Sequence, residues 1–156
     1  MQVASSIRFV LAALALSTSV LASCTSDGES DVDRSAPAPM PQEAQPTEVE
    51  GANVFVDVSN QSFDDPDAHI TMRVGDLTPV DASFPVEGQH HWVGHQLRLQ
   101  PGEHLLEFTS DSGAVHALAL AVPADAPVYV TVSYWADAET PPKFQSSVSD
   151  EPFAYG

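Results

Sequence analysis

Six histidines and a knot of aspartates are the side chains with the widest chemical reach in this sequence: His69, His90, His91, His95, His104 and His116, and the run Asp64-Asp65-Pro66-Asp67. His91 and His95 stand four apart, a spacing that on a helix would set two imidazoles on one face, ready for a metal. The residues around them alternate as a strand does, which places their Cα atoms roughly 13 Å apart, too far to share one ion unless the chain bends at Gly94. Edge or half-buried histidines satisfied by local hydrogen bonds are therefore the principal reading. An envelope zinc or copper site drawn from His90, His91, His95 and His104 is the alternative. The acidic run offers hard oxygen ligands to calcium, but counting from Asp65 the loop glycine of an EF-hand is replaced by Ile70. A solvated turn is expected there. Asn60-Gln61-Ser62 suits a turn and a contact surface equally. No serine sits in a Gly-x-Ser-x-Gly elbow, no glycine-rich phosphate loop is present, and no carboxylate pair stands out from the rest. The expectation is a non-enzyme without metal or cofactor.

Charge narrows the partners. The chain carries 22 acidic residues against 5 basic ones, a formal −17. Such a surface repels nucleic acid and anionic head groups, which excludes nucleic-acid binding, and it keeps the protein soluble. One cysteine, Cys24, leaves no internal disulfide. Stability must come from an apolar core, which roughly 100 residues can supply.

The first residues explain that cysteine. Met1 to Arg8 carries one positive and no acidic side chain, and Phe9 to Ala22 is an apolar run of 14 residues. That is shorter than the roughly 20 residues a membrane-crossing helix needs, and the layout is that of an export signal. The run ends in Leu21-Ala22-Ser23-Cys24, which resembles the lipobox of bacterial lipoproteins. The resemblance implies that residues 1–23 are removed, that the Cys24 thiol receives a diacylglycerol and that the new amine is acylated as well, so that the chain is bound to a membrane by lipid on Cys24. Two or more acyl chains make such an anchor stable. Thr25 follows where an inner-membrane retention signal would place aspartate, which implies an outer-membrane address if the organism has that membrane. Residues 24–50 are acidic, with Pro37, Pro39, Pro41 and Pro46 and few apolar groups. They read as a disordered tether, spanning on the order of 30 Å as a coil.

From Ala52 the pattern changes to short apolar alternations broken by turns. Val54, Val56 and Val58 share one parity; so do Ile70, Met72 and Val74, then His116, Leu118, Leu120 and Val122, then Val128, Val130, Val132 and Tyr134. Period two is the mark of strands with one buried face, and about seven of them over residues 51–135 predict an all-β, two-sheet sandwich. Leu99-Gln100-Pro101-Gly102-Glu103-His104 resembles the Leu-x-Pro-Gly turn of fibronectin type III and other immunoglobulin-like modules, which implies an immunoglobulin-like arrangement. Where those modules often carry a corner tyrosine just after the turn, His104 is the nearest candidate. Pro101-Gly102 either closes a tight hairpin, setting His95 opposite Phe108, or passes the chain to the other sheet.

The aromatics complete the reading. Trp92 is expected in the core, and Trp135, of opposite parity to its buried neighbours, on an outer face. Residues 136–156, with Pro141-Pro142 and spaced aromatics, are expected to fold back over an exposed sheet face. The function expected from the whole is a lipid-anchored envelope protein with a non-catalytic binding or accessory domain, its partner an envelope protein or glycan.

Overall fold

Valines at every second position drive the two halves of the core together. The computed structural model describes residues 42–86 and 91–155. Eight strands fill this region: β1 (Val54–Asn60), β2 (Asp67–Val74), β3 (Leu77–Pro85), β4 (Val93–Leu97), β5 (Gly102–Ser110), β6 (Val115–Val122), β7 (Val128–Trp135) and β8 (Lys143–Ser149). They form two four-stranded sheets, one in the order β4-β1-β7-β8 and the other β3-β2-β5-β6. The protein is an all-β two-sheet sandwich, compatible with an immunoglobulin-like fold.

In the first sheet β1 runs antiparallel to β4 and parallel to β7, so that Val56 lies opposite both His95 and Val130. The second sheet is antiparallel throughout, with Met72 opposite Val80 on one side and Phe108 on the other. One apolar layer fills the space between the sheets. Val54, Val56, Val58, Val130, Val132 and Tyr134 come from the first sheet, and Ile70, Met72, Leu106, Phe108 and Leu120 from the second, each at 1% exposure or less. Burying each such aliphatic side chain contributes roughly 1.5–3 kcal/mol. The layer therefore dominates the energetics of a chain that has no disulfide.

Pro101-Gly102 takes the second of its two possible paths. It carries the chain from β4 in the first sheet to β5 in the second, so β5 pairs with β2 and β6 and not with β4. Gly102 has φ +133, a conformation that L side chains rarely adopt, which explains glycine at this crossover. His104 Nε2–H then donates to the Gln100 carbonyl oxygen, 2.7 Å away. The bond returns to main chain four residues upstream.

Three features depart from the pattern reading. The strands number eight, because Lys143–Ser149 pairs antiparallel with β7 and buries Phe144. Its sequence, KFQSSVS, is too polar to read as a strand; the ladder offered by β7 supplies the order. Trp92 is not in the core. It is half-buried on the outer face of the first sheet, because Val93, His95 and Leu97 take the inward parity of β4. Residues before 51 also pack on the sandwich. Ala44 joins the core at 7% exposure, and main-chain bonds tie Gln42–Thr47 to β3 and β4. Residues 24–41 of the expected tether lie outside the described residues.

Leu106→Ala should lower unfolding free energy by roughly 2–5 kcal/mol, whereas Val115→Ala, at an exposed position of β6, should stay within about 0.5 kcal/mol. Equilibrium denaturation of the two variants measures both.

Candidate functional site

The histidines are scattered by the topology. On the outer face of the second sheet His69 Nε2 lies 2.8 Å from Asp81 Oδ1, and Thr71 also bonds that carboxylate. The His69 bond holds the Asp81 carboxyl below its ordinary value, helped by Thr71 and opposed by slight desolvation. His116, half-buried on β6, reaches Ser146 on β8 at 2.9 Å, tying the two sheets together along one side. His91 is exposed ahead of β4. His95 lies within β4 at 3% exposure. Gly94 introduces no bend: it pairs in regular register with Asp57, so His91 and His95 remain apart. His104 belongs to the other sheet. Among the described residues no three His, Cys, Asp or Glu side chains are placed to hold a metal. His90 lies outside the described residues, as does Cys24.

The acidic loop has a structural task. Tyr134, fully buried on β7, donates its hydroxyl to Asp65 Oδ2 at 2.7 Å and shares a second, short bond with Ser112 in the β5–β6 turn. Asn60 Nδ2 donates to the carbonyls of Asp65 and Phe84, each at 2.9 Å, and Asn60 Oδ1 accepts from the Ser62 amide. Ser62 Oγ donates to the Ala136 carbonyl at 2.8 Å and accepts from the Asp65 amide. Asn60 and Ser62 are buried, so this stretch is a polar clamp joining the ends of β1, β3 and β7 and not an exposed contact surface. Burial pushes the Tyr134 phenol above its ordinary value; Asp65 adds to the rise and Ser112 opposes it. A hydroxyl at the inward parity of a core strand must find a partner, and that is the signal by which the network was foreseeable. Asp64, Asp65, Asp111 and Ser112 also border an open cleft of about 400 Å³ beside Ala136 and Pro142.

A different face carries outward aromatics, Tyr155 exposed and Phe55, Tyr129 and Trp92 half-buried. On the outside of the first sheet the rings of Phe55 and Tyr129 stack at 5.1 Å, and those of Trp92 and Tyr155 at 4.8 Å. Between the two pairs lies Asp57, whose Oδ2 accepts from the Tyr155 hydroxyl at 2.6 Å. The last residues of the chain therefore return across this face. Gly94, opposite Asp57, leaves room for the carboxylate: a Cβ there would stand 3.2 Å from Asp57 Oδ1. Trp135 lies half-buried on the same outward parity of β7. Desolvation raises the Tyr155 phenol strongly, and its bond to Asp57 adds to this. A cleft of about 400 Å³ opens beside Phe55 and Tyr129, walled by Asn53 and Ala124–Pro127. This face combines apolar ring surface with amide and carboxylate groups.

No protein-family model matches the chain, and no curated protein or solved structure matches it.

Two outcomes test the geometry. Tyr155→Ala should shift the Trp92 emission to longer wavelength by uncovering the indole, with little change in the unfolding midpoint. Tyr134 has a folded-state phenol above the unfolded value of about 10, so its contribution is complete below that pH and is lost as pH rises through the folded value. Tyr134→Phe should be less stable near neutrality by roughly 1–3 kcal/mol, through the unpaired Asp65 and Ser112, and should show a shallower alkaline loss than the parent in denaturation series.

Proposed function

We propose that the chain is a bacterial lipoprotein, exported with a cleaved signal over residues 1–23 and held by lipid on Cys24 at the extracytoplasmic side of a membrane. The observation that carries this is Leu21-Ala22-Ser23-Cys24, set directly after a short apolar run and containing the only thiol of the sequence. A solitary cysteine in an exported chain has no disulfide partner, and acylation gives it a use. Where the cell has an outer membrane, Thr25 favours that address.

The sandwich in this reading is a non-catalytic binding or accessory domain of the envelope. Support comes from the outward aromatic pairs Phe55–Tyr129 and Trp92–Tyr155 around Asp57. Aromatic rings with polar neighbours are frequent anchors in recognition surfaces. The charge of −17 favours an envelope protein or a neutral or basic glycan over nucleic acid.

Intact-mass measurement of the protein from its native membrane should show a chain beginning at Cys24 and carrying diacylglycerol plus acyl mass. Cys24→Ala should move the protein from the membrane to the soluble fraction. An unmodified residue 24, with the signal retained or cut elsewhere, overturns the anchor. For the domain, crosslinking in intact cells should capture a partner in the parent and lose it with Phe55→Ala plus Tyr129→Ala, while His69→Ala on the opposite sheet has no effect.

A further inference from the structure

His95 is the one buried histidine of the described residues whose ring nitrogens both lack a hydrogen-bond partner. It lies on an edge strand. Val56 of β1 is opposite it in the ladder, and the Phe84 ring of β3 meets it edge-on at 6.2 Å. On the open side of β4 the segment 42–48 runs past as a strap. Gln42 and Ala44 bond to Ser83 of β3, through Ser83 N–H to Gln42 O at 2.9 Å and Ala44 N–H to Ser83 O at 2.7 Å. Thr47 bonds to β4, through Thr47 N–H to Gly94 O and Gln96 N–H to Thr47 O, both at 3.1 Å. These isolated bridges close the side of the sandwich where β3 and β4 would each present a free edge.

The strap is weakly held. Ala44 is its only buried side chain; Gln42, Glu43, Gln45, Pro46, Thr47 and Glu48 are exposed. Segments with few buried apolar contacts and main-chain bonds near solvent open at lower free energy than core strands. Clefts of about 230 Å³ and 200 Å³ flank it, the first reaching Trp92 and the second reaching Asp57 and His95.

We propose that residues 42–48 are an acid-released latch: protonation of His95 frees the strap from the edges of β3 and β4 while the two sheets stay paired. A neutral imidazole leaves one N–H donor and one acceptor unpaired in the interior, but it carries no charge. The imidazolium adds a charge and a second N–H donor, and neither ring nitrogen has an acceptor. Water must reach it, and among the described residues the strap is the least anchored barrier. Burial already disfavours the charged ring, opposed in part by Asp57. The titratable groups nearest on the surrounding elements are Asp57 on β1, Glu43 and Glu48 on the strap, and His91 ahead of β4. On β3 the acid Asp81 points to the outer face and is bonded to His69. With the folded value lowered, the closed state is fully favoured above the unfolded histidine value of about 6.5 and loses that advantage as pH falls through the folded value. Opening frees seven residues, roughly 25 Å of extended chain, and uncovers two unpaired strand edges.

Amide hydrogen exchange on the full chain tests this, after correction for the intrinsic pH dependence. Protection of Ala44, Thr47, Ser83 and Gln96 should fall by roughly tenfold or more between about pH 7.5 and pH 5, while Val56 and Val130 in the β1–β7 ladder stay protected. In His95→Leu the fall should disappear. Should that variant fail to fold, Thr47→Pro removes the Thr47 N–H bond directly: it should leave the remaining strap amides unprotected already at neutral pH, with the core intact and no further acid response. Equal protection at both pH values, a simultaneous loss in the β1–β7 ladder, or an acid response surviving in either variant overturns the latch.

Discussion

No disulfide joins the two sheets. With a single cysteine, the sandwich depends on one interdigitated layer in which the valines of β1 and β7 meet Ile70, Met72, Leu106 and Phe108. The layer is thin, so each strand can spare only one face to it, and, His95 excepted, its polar groups leave by the other face or are paired at the ends. That constraint explains where the buried polar groups lie. Asn60, Ser62 and Tyr134 cluster where β1 leaves its sheet for β2, and each bonds to main chain or to a neighbouring loop. At the opposite end Asn53 performs the same task, its side chain exchanging two 2.9 Å bonds with the main chain of Leu99 as the chain turns toward β5. The ends of the sandwich are tied by amides and hydroxyls.

Sheet edges are the second consequence. An open sandwich of two four-stranded sheets has four of them, and unpaired edges invite pairing with other chains. On one side β6 and β8 approach each other and His116 bonds to Ser146 across the gap. On the other side the strap of residues 42–48 bridges β3 and β4. The strong negative charge adds general repulsion between copies. The chain thus protects its edges with short local devices, and the strap is the lightest of them.

Much of the fold was legible. The alternating valines and leucines announced the sandwich, and Pro101-Gly102 marked a turn at a place where a turn is required. The histidines read as locally satisfied groups, and His69, His104 and His116 each have such a partner. Other features were not legible, for identifiable reasons. β8 offers only Phe144 and Val148 as apolar groups on its inward parity, so its own pattern is silent and its order comes from the ladder with β7. The strap buries one alanine and is held by main-chain bonds, which leave no trace in residue type. Trp92 was misplaced because size suggests burial, whereas strand parity, set by Val93 and His95, sends it outward to stack on a tyrosine 63 positions later.

By itself the sequence determined the period of its strands, the lack of internal crosslinks, the charge and the motif around Cys24. These are local or summed properties, carried by neighbours along the chain. Only the tertiary structure decided which strands share a sheet, that the acidic loop serves the Tyr134 hydroxyl, that the C-terminus returns to Asp57, and that His95 is enclosed without a partner. Each of these depends on groups brought together from distant positions, and the energy of such a meeting exists only once both sheets have closed on their common layer.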